Sequence, residues 1–483
     1  MKSYLNKSIL IVLLFAVFVD FSFSQENKNK LFDEYLNEYL LIKNAPSISA
    51  GLLEQGKITW LNAFGKADVE NNVSANTSSL YRIASISKSI TAIAVLQLWE
   101  RGLISLDTDA RTYITTFPVK RYKFSIRQIL NHTSGIRNYK DGEFDNKKYF
   151  ATTEDAFKLF AYDSLNFEPG TKYEYTTLGY SLLAAIVENV TKTSFENYLR
   201  NNIFLPAGMN STLIDKQRDI IPNRVRGYEK NAESKIVNAP LADISVKVAG
   251  GGLLSTSKDI LLFAKAILEN KLLKQSTLDM MIRRSKLKSG KEIDYGLGFS
   301  LTFENDSLRY ISHSGAGTGF SAMLLIDLKQ KNASVDLINI RARNLGEPAK
   351  DILEMLNSGV LLKPTKTLSE ELMKTYLVSG IDSVNRKLTN IYGLESELYT
   401  LNADEVIFFA NNLIELNRIP NAIIYLKEAL KLYSKSFKVL AAIADSYLKD
   451  SNNGLALKYY RLAAQIDNTN YRVNNLIKRL SSN

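Results

Sequence analysis

Residues 85–101 read SISKSITAIAVLQLWER and are followed by Gly102. Between Ile90 and Trp99 the run is almost continuously apolar, too long for a strand, and Gly102 stands where a helix C-terminal cap would fall. The pattern predicts a helix buried on most sides. At its start Ser85 and Lys88 stand at i and i+3, neighbours on one helix face, close to the end where the helix dipole favours negative charge on a serine oxygen. The same S-x-x-K spelling recurs at Ser255 to Lys258 and Ser285 to Lys288, so the spelling alone carries little. Ser255-Thr256-Ser257 reads as a helix N-cap with Asp259 in the first turn, and Ser285 lies in a basic, polar stretch. Only Ser85 opens a helix that would hold the pair rigidly.

Outward from this helix, ISAGLLEQ and KITWLNAFGKAD flank Gln55-Gly56-Lys57 and predict a β-hairpin between Ser47 and Asp68. From about residue 103 to 290 the pattern is helices and loops, with i, i+3, i+4 apolar spacing at Tyr180 to Val190 and Ile260 to Leu268. Strand-like runs return at Tyr295 to Phe303, Tyr310 to Ser312, Ser321 to Asp327 and Val335 to Ile340, between turn signals such as Glu304-Asn305-Asp306. Strands at both ends and helices between them predict one α+β domain whose sheet is assembled from its two ends. Past Lys363-Pro364 no strand signal appears. Ala410, Leu413, Ala422, Tyr425, Leu426 and Ala429 recur 34 residues later as Ala444, Tyr447, Ala456, Tyr459, Tyr460 and Ala463, and 34 residues is the period of tetratricopeptide repeats. Two such repeats are fewer than stand alone, so helices in Ser369 to Leu401 are expected to stack on them, or the pair to dock on the preceding domain.

Composition narrows the chemistry. The 483 residues, 45% hydrophobic and 23% charged, are those of an ordinary folded protein. Without cysteine there is no disulfide framework, thiolate metal site or cysteine nucleophile, and two histidines, His132 and His313, are too few for a multi-histidine metal centre. Hydroxyls, lysines and carboxylates remain; no metal or cofactor is expected. The formal charge of +11 is spread along the chain without a nucleic-acid motif, so a solvated basic surface is expected and no nucleic-acid partner. Met1 to Ser24 has a basic start (Lys2, Lys7), an apolar run of eleven residues from Ile9 to Val19, and small residues Ser22 and Ser24 before Gln25. That is the pattern of a cleavable secretory signal peptide, too short to span a bilayer, and it places the mature chain in the periplasm or outside the cell. No later segment reads as transmembrane.

Two further segments join Ser85 and Lys88. Tyr173-Glu174-Tyr175-Thr176-Thr177-Leu178-Gly179-Tyr180 supplies a tyrosine just before a helix, and His313-Ser314-Gly315-Ala316-Gly317-Thr318-Gly319 places a histidine in a glycine-rich strand edge. In this order, with Tyr81-Arg82-Ile83-Ala84, Leu130-Asn131-His132-Thr133-Ser134-Gly135-Ile136 and Ala249-Gly250-Gly251-Gly252-Leu253-Leu254-Ser255-Thr256, residues 45 to 345 resemble the serine β-lactamase and penicillin-binding superfamily. The likeness is to class C type β-lactamases, the related esterases and D-aminopeptidases, and the mitochondrial serine β-lactamase-like proteins. The resemblance implies an antiparallel sheet flanked by helices with a helical subdomain. It also implies that Ser85 is the acylated nucleophile, Lys88 the general base or proton relay and Tyr175 the second base, with backbone N–H groups of Ser85 and Ala316 as the oxyanion hole. Thr177, His313, Gly315 and Ala316 would line the substrate site.

To act as bases near neutral pH, Lys88 and Tyr175 would both have to titrate well below their ordinary values of about 10.4 and about 10, as a coupled pair. Thr177 stands where the usual motif has asparagine and offers a hydroxyl but no carboxamide. His313 stands where many relatives have lysine and, unperturbed, is mostly neutral at pH 7. His132, in a turn-like segment, is expected to be structural, and Gly250 to Gly252 to pack backbone closely rather than cradle phosphate. The expected organisation is a signal peptide at 1–24, a hydrolase domain at 25–362, a helical connector at 363–401 and two tetratricopeptide repeats at 402–483. Two functions follow. One is a secreted serine hydrolase acting through an acyl-enzyme on Ser85 to cleave an ester, a peptide amide or a β-lactam. The other is a catalytically silent penicillin-binding-like domain that displays the repeats to a protein partner.

Overall fold

The computed structural model describes residues 26–342 and 345–482; the leader expected at 1–24 lies outside them. Ser47–Glu54 and Lys57–Asp68 form the hairpin, turning through Gln55 (φ 49°) and Gly56 (φ 78°). Left-handed φ at both turn positions matches the twist of the strands the turn joins. The hairpin enters a seven-stranded sheet in the order Ser300–Glu304, Ser307–Gly317, Phe320–Asp327, Asn332–Ile338, Ser47–Glu54, Lys57–Asp68, Val73–Ser74. All its pairings are antiparallel, and Ile48 lies opposite both Ile338 and Phe64. The sheet is thus assembled from two distant stretches of chain, with the helical segments between them.

Alternation along the strands sends successive side chains to opposite faces. On one face Ser49 bonds Ser257 (Oγ to Oγ 2.7 Å) at the start of helix Ser257–Leu268. On the other, the Asp336 carboxylate accepts from the Ala349 N–H (3.0 Å) in helix Pro348–Ser358. The helix Ile86–Glu100 is buried from Ile86 to Leu98 without a break. Each fully buried isoleucine or leucine in it contributes about 1.5–3 kcal/mol relative to exposure.

Several strand expectations change. The middle stretch expected as helices and loops also holds short strands at Leu213–Ile214, Tyr228–Lys230, Ile236–Asn238, Leu253–Ser255 and Ser285–Lys286, and the strand expected at Val335 to Ile340 runs Asn332–Ile338. The stretch Tyr295 to Phe303 is strand only from Ser300, because Gly298 takes φ 90° and Gly296 packs so tightly that a Cβ there would sit 2.1 Å from the Met281 carbonyl oxygen. The short strand expected at Tyr310 to Ser312 extends over Ser307–Gly317, because Asn305 (φ 48°) and Asp306 (φ 59°) close a tight turn and start it early.

The described residues divide into two compact units, one within Met1–Glu229, Asn238–Arg341 and Glu347–Leu362, the other within Lys230–Val237, Ala342–Gly346 and Lys363–Asn483. In the second unit, helix Leu368–Leu394 bends at Gly380 (φ 73°) and packs on helices Ala403–Glu415 and Ile419–Leu432. The next two helices, Phe437–Lys449 and Asn453–Ile466, begin and end 34 residues after that pair. Ala410, Ala422, Ala429, Ala444, Ala456 and Ala463 are all buried, and their small side chains allow the helices to approach closely. One short parallel pairing, Lys366–Thr367 with Tyr399–Thr400, adds strand where the sequence showed no signal for it.

Candidate active site

Two chain features present Ser85. Ala84 takes a left-handed φ of 44°, a conformation that β-carbon sterics disfavour, and Ser85 follows as the N-cap residue of the buried helix Ile86–Glu100. The turn leaves Ser85 half-buried while Lys88, one turn on, is completely buried. Lys88 Nζ lies 3.0 Å from Ser85 Oγ, 3.1 Å from Thr177 Oγ1 and 2.7 Å from the Gly250 carbonyl oxygen, which accepts from it. It also sits 4.8 Å from the centre of the Tyr175 ring and 5.6 Å from that of Tyr180.

Three separate segments meet here. Thr177 is buried at the start of helix Leu178–Thr191, its N–H donating to Asn138 Oδ1 (3.2 Å). Gly250 lies in the helical turn Val248–Gly251, where a Cβ would come within 2.6 Å of Thr177 Cγ2. The strand Ser307–Gly317 brings Gly315 so close to the segment before Ser85 that a Cβ there would lie 2.4 Å from the Ile83 carbonyl oxygen. Ala316, exposed, is thereby placed beside the Ser85 turn.

Burial, reinforced by the positive charge of Lys247, holds the Lys88 amine well below its ordinary value. Tyr175 moves the other way: burial raises its phenol, with Ser85 beside it pulling in the opposite sense. The expected pair of depressed bases is therefore not what this site holds. The two shifts oppose each other because burial disfavours whichever form is charged, the ammonium of Lys88 and the phenolate of Tyr175, so Lys88 gives up its proton more readily than usual and Tyr175 less readily.

The histidines are engaged in the aromatic layer beneath. His313 is buried, with Nδ1 2.7 Å from the Ser314 carbonyl oxygen and Nε2 3.1 Å from Tyr295 Oη. A carbonyl can only accept, so Nδ1 carries the proton and Tyr295 donates to Nε2. Burial lowers the ring to about 3, with the nearby Lys88 adding to the shift. His313 is thus neutral with both nitrogens occupied, and it offers no fixed charge to a substrate. His132 is buried at φ 60°, accepts from the Thr176 N–H (3.3 Å) at Nδ1, and packs at a tilt with its ring centre 4.3 Å from that of Tyr175 and 4.8 Å from that of Tyr295.

Sequence reading missed four participants. The Gly250 carbonyl is a backbone group and has no side-chain signature. Asn138 and Tyr295 belong to none of the motifs. Lys247, buried, donates to the Phe144 carbonyl oxygen (2.6 Å), lies 4.1 Å from the Phe144 ring centre, and is lowered to about 8 by burial. Its position two residues before Ala249-Gly250-Gly251-Gly252 was the one available signal.

Residues 30–356 match the family model described as Beta-lactamase. The chain belongs to the β-lactamase family. Within it, the chain is 30% identical over 376 residues to the human protein "Serine beta-lactamase-like protein LACTB, mitochondrial", covering 58% of this chain and 69% of that one. It is 28% identical over 302 residues to penicillin-binding protein 4* of Bacillus subtilis, covering 59% and 66%. The fold is that of the D-amino acid amidase of Ochrobactrum anthropi, with a TM-score of 0.61 at 23% identity over 69% of this chain and 99% of that one. Serine amidases, esterases and β-lactamases all occur among β-lactamase-family proteins, and the matched residues contain the whole of the Ser85 site.

Proposed function

We propose that the chain is a serine hydrolase that forms an acyl-enzyme on Ser85 and cleaves an ester, a peptide amide or a β-lactam. The observation that carries this reading is the three-way contact of Lys88. A neutral amine has two N–H groups and one lone pair. Its N–H groups satisfy the Gly250 carbonyl and Thr177 Oγ1 (2.7 and 3.1 Å), which turns the lone pair toward Ser85 Oγ at 3.0 Å. The Ser85 hydroxyl donates to that lone pair, and Lys88 takes its proton as Oγ attacks the substrate carbonyl. Negative charge collects on the carbonyl oxygen, where the Ser85 and Ala316 N–H groups supply the donors. As the tetrahedral intermediate collapses, the Tyr175 phenol protonates the leaving group and recovers a proton from Lys88. Water then attacks the acyl-enzyme, losing a proton to Lys88, and Ser85 leaves as the alcohol. Thr177 takes the place of a carboxamide and serves the lysine rather than a substrate amide.

Residues 1–24 would direct export, leaving the chain in the periplasm or outside the cell, and the 34-residue helix pairs would be tetratricopeptide repeats open to a protein partner. The test is intact mass after exposure to a fluorophosphonate and, separately, to a penicillin, with Ser85→Ala as control. A Ser85-dependent adduct supports the hydrolase, and one with penicillin as well narrows the chemistry to β-lactam or cell-wall peptide. A folded protein that takes no adduct refutes it and leaves the repeat-displaying binding module.

A further inference from the structure

A cavity of about 310 Å³ opens beside the site, walled by Arg82, Arg224, Arg226, Thr318 and Phe320, with Leu241 at its mouth. Its position follows from the two segments that build the site. Arg82 lies three residues before Ser85, in the two-residue strand Tyr81–Arg82 that pairs with Leu253–Ser255. Thr318 lies two residues past Ala316, in the turn that ends the strand Ser307–Gly317. A substrate held by its carbonyl between Ser85 and Ala316 therefore has this cavity at the end of the strand edge.

The wall is cationic. Three arginines face the cavity and, among the described residues, no acidic side chain lines it. Asp215 stands behind the wall, fully buried, accepting from Arg82 Nε (2.6 Å) and Arg224 Nη1 (2.8 Å). One carboxylate shared by two guanidiniums orients both and leaves a net positive charge. Arg226 is held by Glu70 (2.7 Å) and Asn238 (3.0 Å), and Glu70 is half exposed. Of the five N–H donors on Arg82, contacts among the described residues use two, to Asp215 and, at 3.4 Å, to Gln217. Its guanidinium also lies 5.8 Å from the centre of the Phe320 ring, which with Val225 and Leu254 gives the cavity an apolar side. Planar donors with spare N–H groups, fixed by a carboxylate behind them, suit bidentate recognition of an anion.

We propose that this cavity is a substrate subsite that takes a carboxylate or phosphate-type group joined through a short apolar chain to the carbonyl attacked by Ser85. The inference rests on the hydrolase reading above and deepens it by naming the substrate class: acyl groups that end in an anion.

The test uses the full chain and 4-methylumbelliferyl esters of one leaving group and three acyl chains: the glutarate monoanion, its neutral methyl ester, and 4-phosphonobutanoate. The quantity read is kcat/KM of each anionic ester relative to the neutral one. At least one anion is expected to exceed the neutral ester by 10-fold or more, chiefly through KM, and comparison of the two separates a carboxylate from a phosphate preference. Arg82→Met and, independently, Leu241→Glu should each cut that ratio at least fivefold. Leu241 is 74% exposed, so its substitution sets a competing carboxylate at the mouth without disturbing the core, and it carries the test if Arg82→Met does not fold. A ratio near one in the wild type, with turnover still dependent on Ser85, overturns the subsite and spares the hydrolase. A high ratio unaffected by the folded variants places the anion elsewhere and also overturns it. Absence of both turnover and a Ser85 adduct removes the hydrolase reading and this inference together.

Discussion

Gly250→Ala is the most informative single perturbation of the site. The Gly250 backbone lies outside the left-handed region, so alanine meets no conformational objection there. The difficulty is space. The new Cβ would lie 2.6 Å from Thr177 Cγ2, 2.9 Å from the Thr177 carbonyl oxygen and 3.4 Å from Tyr180 Cβ. The first of these falls roughly 1 Å short of the ~3.5 Å at which carbon atoms pack best. Thr177 cannot swing away freely, because its N–H is tied to Asn138 Oδ1 and it begins the helix Leu178–Thr191. The strain opens the gap between Gly250 and Thr177, the two groups that aim the Lys88 amine. Overpacking of this kind costs about 1–3 kcal/mol of stability, and a displacement of about 1 Å in a reacting group slows a positioned reaction by about 100-fold. The assay is the second-order rate of fluorophosphonate adduct formation by intact mass, with thermal unfolding alongside. A variant that unfolds at lower temperature yet labels within twofold of wild type refutes the claim that Gly250 and Thr177 position Lys88.

Four further outcomes follow from the same geometry. Lys88→Met should form no adduct yet be more stable than wild type at pH 7. The folded lysine titrates below its unfolded value of about 10.4, so the unfolded chain binds the extra proton and wild-type stability rises with pH across that window; the gap between the two proteins in denaturant melts should close toward pH 10. In the pH profile of labelling, the acid limb should report loss of the Lys88 proton, and Lys247→Met should move that limb to higher pH by removing the charge that assists deprotonation; an unmoved limb assigns it to another group. Tyr295→Phe strips the His313 Nε2 of its donor and should cost about 1–3 kcal/mol in urea unfolding, whereas a change under 0.5 kcal/mol argues that Nε2 has another partner. In the second unit, Glu405 is completely buried and accepts from the Ser369 N–H at 2.7 Å; Glu405→Ala should destabilise that unit by a similar about 1–3 kcal/mol, followed by hydrogen exchange of residues 368–415.

What the sequence made readable was whatever the chain encodes locally. The buried helix, the hairpin and the Ser85 and Lys88 pair each depend on residues no more than 18 positions apart, and each is visible as periodicity or spacing. The 34-residue period is legible for the same reason, since identical offsets put alanine at each close helix contact. What escaped depends on long-range geometry. The Gly250 carbonyl, the Asn138 amide and the Lys247 charge act on residues that are 162, 39 or more than 150 positions away. The direction of each titration could not be read either: the motif names Lys88 and Tyr175 as partners, but only their burial shows that one is pushed down and the other up. His313 read as a mostly neutral imidazole lining the substrate site, and its Tyr295 partner, 18 residues earlier, together with the Ser314 carbonyl occupies both ring nitrogens.

The interior strand Ser47–Glu54 has one neighbour at hand and the other far down the chain: the Ser47 N–H bonds the Asn339 side chain across 292 residues. At a translation rate of about 5–20 residues per second, the first half of the sheet waits roughly 15–60 s for the strand that completes it. During that interval an apolar hairpin edge and a helix with no sheet to rest on are both uncovered, the circumstance in which chains aggregate or recruit chaperones. Circular permutants of residues 26–358 that open this segment inside its helical part and join residues 26 and 358, compared with the unpermuted 26–358 segment, would bring the sheet strands together in sequence. Such permutants should refold faster at unchanged equilibrium stability, since only the loop-closure step is shortened.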